Sequence, residues 1–344
     1  MKRYVLGILL VVALIAAGCG PQDTEPDLSQ TYIGGNQGLA LSFAQGMPPA
    51  EVFDDGQMEF SIGIMIENVG ESSIGVNTPN PFGFIEVIGI SPNRFGKNAQ
   101  DELIVTWREA DLTLARSQRG FDGNIFPGET SLVEIPGLSY TSDRTGNAEY
   151  TIRANVCYEY RSEAQGQICI KDNVLERAAD DTICTLSGNK PLATSGAPVQ
   201  VTQLSQNPAG ADRIQVTFRI ENIGGGMVFA PAGDFSYAQQ GQICDPGAGP
   251  NTMRDQVNVE VSLGEEAYTA DYNIRCPLLQ GGSFGTIRMF GGAPVDLSCT
   301  LETFGRDGSR IFTDNFNIDL HYTYLDFVER PIIVRDVNIG SLDR

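Results

Sequence analysis

A strand followed by a tight turn occurs twice in this chain, and this repetition constrains the fold more than any other feature. The first copy covers residues 60–70 and the second covers residues 216–224, and both end in the motif Glu-Asn-x-Gly. Two further segments repeat at one offset of 164 residues, namely 156–160 in 320–324 (VCYEY and LHYTY) and 168–172 in 332–336 (ICIKD and IIVRD). The sequence therefore predicts one domain duplicated in tandem, with loops of different length in the two copies.

Composition and residue spacing predict two β-sandwich domains. The chain has 344 residues, of which 41% are hydrophobic, 39 are glycine and 18 are proline, so it can bury real cores between many turns. Apolar residues alternate with other residues, as at Phe60, Ile62 and Ile64, which indicates half-buried strands. About seven short strands separated by turn residues are typical of a sandwich. We therefore expect an all-β chain with domain 1 over 32–175 and domain 2 over 198–340.

Each predicted domain ends in a β-hairpin. In domain 1 the arms are residues 150–160 and 167–171, and in domain 2 they are residues 312–324 and 332–336. The segment 176–197 between the domains is rich in glycine, proline and serine towards its end, which predicts a linker, and a short helix is expected where this linker begins.

The N-terminus has the pattern of an export signal. Lys2 and Arg3 precede a nearly apolar run over 4–17, which at about 14 residues is short for a bilayer-spanning helix and typical of a secretory signal. Residues 14–19 (LIAAGC) resemble a lipoprotein lipobox, although Ala16 stands where that motif usually has leucine. We therefore expect a signal peptide over 1–19 with lipidation of Cys19; an ordinary cleaved signal and an uncleaved anchor are the alternatives.

Residues 20–31 follow as a polar, proline-containing tether that we expect to be disordered. The tandem strand ending in Asn-x-Gly, placed behind a signal, resembles immunoglobulin-like modules of the cell-adhesion-related type. The layout also resembles surface lipoproteins of archaea. The resemblance covers residues 32–175 and 198–337 and implies two immunoglobulin-like sandwiches anchored to the cell membrane, at the cell surface or in a periplasm-like space. It brings no catalytic residues with it.

The charge of the chain excludes some partners. A net charge of −20 opposes the phosphates of nucleic acids, so we expect no nucleic-acid partner and interpret the acidic residues as a solvated coat. Cation binding and adaptation to high salt are the alternatives. Weak calcium candidates lie in Asp-Gly loops, where such residues also form ordinary turns: Asp54, Asp55, Asp122, Asn124 and Asp307. No other cofactor is expected.

The seven cysteines predict disulfides. If Cys19 is lipidated, six remain, an even number that suits an oxidising compartment. The predicted hairpin of domain 1 places Tyr158 and Tyr160 on its inner face and Cys157 directly opposite Cys169 on its outer face, so we predict a bond between the two cysteines. The other predicted pairs are Cys276 with Cys299, each late in a strand, and then Cys184 with Cys244. A zinc site is disfavoured because the chain has no Cys-x-x-Cys and one histidine.

Catalytic signals are weak. The alternation around His321 places the inward positions at Ile318, Leu320, Tyr322 and Tyr324, so His321 is expected to be an exposed surface residue. Adjacent carboxylates such as Asp54 and Asp55 point to opposite faces of a strand and do not converge as an acid–base pair. Trp107, the sole tryptophan, is expected in the core.

We therefore expect a non-enzymatic, membrane-anchored extracytoplasmic protein that acts as an adhesion, spacer or partner-binding module, with an unidentified protein or glycan as partner. Two other classes stay open. One is an extracytoplasmic enzyme or substrate-binding subunit with its site between the domains. The other is an assembly subunit that adds a strand to the open edge of a neighbouring sheet.

Overall fold

The computed structural model describes residues 28–171, 173–175, 183–234, 243–245, 253–264, 273–280, 282–303 and 311–337. The predicted signal, Cys19, most of the tether, most of the predicted short helix and Asp307 lie outside these residues. Within them the secondary structure is strands and short 3-10 helices, which confirms the predicted all-β class. None of the described helices has the length and apolarity needed to span a bilayer.

In chain order the strands are β1 (Leu39–Phe43), β2 (Glu51–Phe53), β3 (Phe60–Asn68), β4 (Ile74–Gly75), β5 (Gly83–Ile88), β6 (Ile104–Thr106), β7 (Thr113–Leu114), β8 (Gln118–Arg119), β9 (Ile125–Phe126), β10 (Thr130–Leu138), β11 (Ala148–Lys171), β12 (Gly188–Asn189), β13 (Leu192–Thr194), β14 (Val199–Pro208), β15 (Arg213–Asn222), β16 (Met227–Phe229), β17 (Gln256–Leu263), β18 (Asn273–Arg275), β19 (Phe284–Arg288), β20 (Val295–Glu302) and β21 (Ile311–Arg335). The 3-10 helices are Leu28–Gln30, Pro92–Phe95, Gln100–Leu103, Ala232–Asp234 and Phe290–Gly292.

Two long strands run through the whole body. β11 has 24 residues and β21 has 25, and they pair antiparallel without a register shift from Ala148 opposite Val334 to Lys171 opposite Ile311. At about 3.3 Å per residue each strand spans roughly 80 Å. The two predicted terminal hairpins are therefore wrong. Residues 161–166 continue the strand because each of them pairs with β21 rather than folding back on its own sequence neighbours.

Three sheets share one hydrophobic core. A three-stranded sheet has the order β1-β3-β10, and a five-stranded sheet has the order β12-β14-β15-β20-β18. The central sheet has the order β19-β17-β21-β11-β5-β6, with β2, β13 and β16 added to the long strands. Phe218 of β15 packs against Phe316 of β21 with ring centroids 6.1 Å apart.

Each end of the body uses a part of both long strands. β5 pairs with β11 over Arg153–Tyr158, and β2 pairs in parallel with β21 from Ile333 to Arg335. At the other end β17 pairs with β21 from Phe316 to His321, and β13 pairs with β11 around Gln165. The beginning of the chain therefore shares one sheet with the end of β21. The segment expected to be a linker also contributes, because β12 and β13 lie within it.

Four tyrosines meet where the long strands cross the middle of the body. Tyr158 pairs with Tyr324 and Tyr160 pairs with Tyr322, with ring centroids 5.9 and 6.1 Å apart. All four are buried, which confirms their predicted inward orientation. Burial raises the pKa of Tyr158 and Tyr322 well above the ordinary value, and it raises the pKa of Tyr324 to about 12. The hydroxyl groups are therefore neutral hydrogen-bonding groups at physiological pH.

The two Glu-Asn-x-Gly turns pack against two of these tyrosines. In the first turn the hydroxyl of Tyr160 accepts a hydrogen bond from the backbone N–H of Ser72 at 3.3 Å and donates to the carbonyl of Gly196 at 2.8 Å. The side-chain amide of Asn68 closes the turn by donating to the carbonyl of Ser72 at 2.9 Å. A Cβ added to Gly70 would lie 2.0 Å from the Tyr160 hydroxyl, so only glycine allows this approach.

The second turn repeats this arrangement. The hydroxyl of Tyr324 accepts from the backbone N–H of Gly226 at 2.7 Å and donates to the Asn222 side-chain carbonyl at 3.2 Å. The Asn222 amide donates to the carbonyl of Gly226 at 3.0 Å. A Cβ on Gly224 would lie 2.3 Å from the Tyr324 hydroxyl. The repeated motif is therefore the part of each turn that receives a buried tyrosine.

Three disulfides are present, but two of them differ from the predicted pairs. Cys157 bonds Cys244, Cys169 bonds Cys184, and Cys276 bonds Cys299. The last is the pair proposed from the sequence. The predicted bonds Cys157–Cys169 and Cys184–Cys244 are wrong, because Cys157 and Cys169 lie on one straight strand and are separated along it by about 40 Å at 3.3 Å per residue.

Trp107 is 1% exposed, which confirms the prediction that it belongs to the core. It packs directly on Gly83 of β5, where a Cβ would lie 1.9 Å from the indole nitrogen. The backbone N–H of Trp107 also donates to the carbonyl of Gly83 at 2.9 Å. This tryptophan is therefore held at the edge of the central sheet and is not a ligand platform.

Candidate functional site

The calcium candidates that the structure describes accept hydrogen bonds from N–H groups of the protein. The two carboxylate oxygens of Asp54 accept from the backbone N–H groups of Arg144 at 3.2 Å and Val337 at 3.0 Å. Asp55 accepts from the N–H of Gln57 at 3.0 Å. The bond to Asp55 is the turn role that the sequence left as the alternative, whereas Asp54 joins segments 90 and 283 residues away from it. Among the described residues no group of three His, Cys, Asp or Glu side chains is arranged to hold a metal ion.

Asp122 and Asn124 form the turn between β8 and β9. Asp122 accepts from both the backbone N–H of Asn124 at 3.1 Å and its side-chain amide at 2.6 Å. Gly123 has a φ of 81°, a left-handed conformation that glycine adopts without strain. The Asp122 carboxylate and the Asn124 amide are therefore bonded to each other in a tight loop. The hydrogen bonds of Asp54 and Asp55 go to other residues, so the four calcium candidates do not share hydrogen-bond partners.

His321 is partly covered, so the prediction that it is exposed is wrong. Its side chain is 26% exposed, and its Nε2 lies 3.0 Å from a carboxylate oxygen of Glu159, whose side chain is 3% exposed. The same oxygen accepts from the backbone N–H of Gly233 at 3.3 Å. Glu159 pairs directly with Thr323 at the middle of the two long strands. A buried carboxylate and the sole histidine therefore meet on the side of the sheet that faces away from the tyrosines.

This pair does not form a nucleophilic site within the described residues. The Thr323 side chain is fully buried, and its hydroxyl has no hydrogen-bond partner in that part of the chain, so it is not activated by His321. At the offset of 164 residues, Cys157 and Glu159 correspond to His321 and Thr323. The outer face is therefore where the two predicted copies differ chemically.

The sequence also contains one serine motif that is associated with nucleophilic catalysis. Residues 281–285 (GGSFG) match Gly-x-Ser-x-Gly, whose serine acts as a nucleophile when it stands between a strand and a helix. Ser283 instead directly precedes the strand β19, and its carbonyl accepts from the backbone N–H of Val261 at 2.8 Å. The strand–turn–helix context that activates such a serine is therefore not present at Ser283.

A polar cleft of about 450 Å³ lies where the described chain begins. The residues that line it include Tyr32, Glu71, Arg116, Arg119, Phe121 and Glu163. Burial and the nearby carboxylates, Glu163 first among them, raise the pKa of Tyr32, so its hydroxyl stays protonated. None of these residues carries a local sequence signal for the cleft, because they come from segments that are distant in sequence.

Glu71 fixes the N-terminal segment in this cleft. One of its carboxylate oxygens accepts from the N–H of Ile33 at 2.9 Å, and the other accepts from Gly34 at 3.0 Å and from Gly196 at 2.6 Å. Both oxygens are already bonded, so Glu71 has a structural role. It follows the first Glu-Asn-x-Gly turn directly, which is the sequence signal that could have identified it.

The β8–β9 hairpin stands beside the cleft and carries exposed apolar side chains. Phe121 at its turn is fully exposed, Ile125 is 54% exposed and Phe126 is 55% exposed. The two strands form a sheet of their own, with Gln118 opposite Phe126 and Arg119 opposite Ile125. We call residues 118–126 the apolar hairpin. A sequence search for an Asp-Gly turn flanked by apolar residues could have found it.

Burial of an acidic residue next to the tyrosine cluster makes stability depend on pH. Burial raises the pKa of Asp326, and the hydrogen bond from the N–H of Phe327 only partly opposes this. The folded protein therefore holds this proton more tightly than the unfolded chain. The stabilising contribution is complete below the unfolded pKa and is lost as pH rises through the folded pKa.

We accordingly expect Asp326→Asn to raise the melting temperature at neutral pH, with the gain shrinking in acid where Asp326 is already protonated. Asp296→Asn is the matched control, because hydrogen bonds from Arg219 lower the pKa of Asp296 and removal of its charge should not stabilise the protein. Thermal unfolding of both variants across acidic to neutral pH measures this. A gain for Asp326→Asn that is the same at every pH would contradict the burial argument.

The fold and the site define a disulfide-bonded, all-β protein of an oxidising, extracytoplasmic compartment. No family model and no curated protein matches the chain. Among solved structures it is similar to the serine-rich repeat adhesion glycoprotein Srr1 from Streptococcus agalactiae, at 8% identity over 88% of this chain and 92% of that chain, with a TM-score of 0.17. A likeness at this TM-score carries no argument about function. The resemblance to immunoglobulin-like modules and to archaeal surface lipoproteins stays a prediction.

Proposed function

We propose that this protein is a non-catalytic, membrane-tethered extracytoplasmic module that holds a rigid β-sheet body at a cell surface, as a spacer, adhesion or partner-binding element. The observation that carries the proposal is the pairing of β11 with β21 over 24 consecutive positions. Two domains joined by a flexible linker move independently by default, whereas two ends that share both long strands move as one body. A rigid body of this length suits presentation of a surface at a fixed distance.

We also propose that this body arose by tandem duplication. At the offset of 164 positions, Tyr158 corresponds to Tyr322 and Tyr324 corresponds to Tyr160. The strand pair Tyr158–Tyr324 therefore corresponds to the strand pair Tyr160–Tyr322. The two Glu-Asn-x-Gly turns make the same side-chain bonds to equivalent carbonyls of Ser72 and Gly226. These equivalences support a fused pair of copies around a local two-fold axis.

The sheet edges favour a spacer, adhesion or partner-binding role over the alternative role of assembly by strand addition. In the described part of the chain most edge strands are short, with five residues in β1 and β19 and three in β6 and β18. The longer edge strand β10 contains Pro136 and loses its register between Ile135 and Leu138. Short, proline-containing and irregular edges disfavour pairing with another chain.

The tether is tested by Cys19→Ser. If a lipid on Cys19 holds the protein, this variant should move from the detergent phase to the aqueous phase, because the acyl chains supply most of the membrane affinity. Thr24→Ser, in the same segment, is the matched control and should still partition with detergent. Detergent-phase partitioning of the full chain from native cells is the measurement. If the Cys19→Ser variant stays in the detergent phase, an N-terminal helix anchors the protein instead.

A further inference from the structure

The apolar hairpin exposes more apolar surface than its neighbours can cover. Phe121 is fully exposed at its end, and more than half of the surface of Ile125 and of Phe126 is open to solvent. Because Ile125 and Phe126 are adjacent in a strand, their side chains point to opposite faces of the hairpin. Apolar groups therefore surround the end of the hairpin on both faces and at its turn. A flat protein surface covers one face of such an element, whereas a lipid interface surrounds all of it.

The charge of the hairpin segment itself differs from that of the whole chain, although two carboxylates, Glu71 and Glu163, line the adjoining cleft. Residues 116–126 contain Arg116 and Arg119 against Asp122 as the sole acid, in a protein with a net charge of −20. The Asp122 carboxylate is bonded within the turn to Asn124. Arginine next to exposed phenylalanine is the combination found in elements that lie in the interface of a bilayer, where the ring enters the acyl boundary and the cation stays with the headgroups.

The hairpin also stands at the place where the tether enters the body. The guanidinium of Arg119 donates through Nη2 to the carbonyl of Tyr32 at 3.4 Å, and Phe121 lines the same cleft as Tyr32. The described chain begins at Leu28, and eight residues separate it from Cys19. At about 3.5 Å per residue, the anchor lies at most roughly 30 Å from this point. If Cys19 is anchored, the hairpin is therefore held close to the membrane surface.

We propose that the apolar hairpin inserts its tip into the interface of the membrane to which Cys19 is tethered. This inference rests on the proposed lipid anchor and adds a second contact to it. A single flexible tether leaves the body free to rotate, and a second contact beside the tether fixes which side of the body faces the membrane. The binding partner of this surface is thus a lipid interface of neutral or zwitterionic headgroups, since the acidic remainder of the protein is repelled by anionic lipid.

The insertion is tested with an environment-sensitive reporter in the full chain carrying Cys19→Ser, so that the lipid does not mask the hairpin. Trp107 is buried and serves as a constant background, and Phe121→Trp adds a second indole at the tip. We expect its emission to shift to the blue with protein-free phosphatidylcholine vesicles and to be quenched by lipids labelled in the upper acyl chain. Phe290→Trp is the matched control, because Phe290 is 73% exposed elsewhere on the surface and should show neither change.

Loss of binding is the second measurement. Phe121→Ser combined with Phe126→Ser should weaken vesicle binding by about tenfold or more, since it removes two exposed rings that the membrane interface would bury. The control combines Phe284→Ser with Phe290→Ser, which removes two rings of similar exposure and should leave binding unchanged. Equal losses in the two variants would overturn the proposal. So would a blue shift of the Phe121→Trp variant that appears with native membranes but not with protein-free vesicles, which would assign the hairpin to a protein partner.

The outcomes distinguish failure of the proposed hairpin contact from failure of the proposed lipid anchor. If the Cys19→Ser variant remains in the detergent phase while the hairpin binds vesicles, the lipid anchor falls and the hairpin contact stands. If the variant is released and the hairpin gives no vesicle signal, the anchor stands and the orienting contact falls.

Discussion

Gly70→Ala should lower the free energy of unfolding by about 3 kcal/mol or more, because it forces a methyl group into a fully occupied space. The added Cβ would lie 2.0 Å from the hydroxyl of Tyr160, 2.8 Å from the carbonyl of Gly196 and 3.0 Å from the carbonyl of Gln37. Two of these neighbours are backbone atoms and the third is a buried ring, so none can move away cheaply. Gly224→Ala should behave alike, with the Tyr324 hydroxyl 2.3 Å from the new atom. Chemical denaturation measures both.

Gly225→Ala is the matched control for this prediction. It lies next to Gly224, and a Cβ there meets nothing within 4 Å, so the change should cost less than about 1 kcal/mol. Tyr160→Phe combined with Gly70→Ala should recover part of the loss, because removal of the hydroxyl opens the space that the methyl group needs. A double variant that is as unstable as the sum of its parts would contradict the contact with Tyr160.

Removal of the Cys157–Cys244 disulfide is expected to lower the free energy of unfolding by about 4–5 kcal/mol. The bond joins residues separated by 87 positions, and closure of a long loop restricts the unfolded chain more than closure of a short one. The variant is Cys157→Ala with Cys244→Ala. Both sulfurs also belong to the apolar cluster on the outer face of the central sheet, together with Phe229 and Leu325. The loss therefore includes packing as well as chain entropy.

The Cys169–Cys184 bond supplies the comparison. Its separation is 15 residues, so its removal should cost about 3 kcal/mol on the same entropic argument. Non-reducing peptide mapping should recover Cys157 linked to Cys244 and Cys169 linked to Cys184. A peptide that links Cys157 to Cys169 would mean that the chain folds back between them, and the continuous strand β11 would then be wrong.

The sequence predicts which way side chains face better than it predicts what a strand pairs with. Alternation correctly placed Tyr158, Tyr160, Tyr322 and Tyr324 inside. The same alternation runs through residues 161–166 whether the chain turns there or continues, because a period of two is shared by a straight strand and by the arms of a hairpin. The residues that pair with β11 lie between 140 (Lys171 to Ile311) and 186 (Ala148 to Val334) positions later in the chain, and no local pattern records that distance.

The candidate site was less accessible to sequence reasoning than the fold. The cleft joins Tyr32, Glu71 and Arg119, which lie in three separate segments, and its key bonds go to backbone groups that carry no sequence signature. The disulfides show the same limit. The number of cysteines correctly indicated three bonds, but their partners depend on whether β11 is straight, which is a property of the whole sheet.

The position of β21 affects the order in which the protein can fold. Val52 in β2 lies beside Val334 in β21. The part of the central sheet that the beginning of the chain contributes is therefore completed by β21, the last of the described strands in sequence. Such a contact has a very high contact order, and folding that depends on it is slow. Until β21 pairs, the edge of β11 that β21 covers stays open to other chains. Both ends of the body are therefore completed by the same strand, and a chain cut short before Ile311 would leave both of them unfinished.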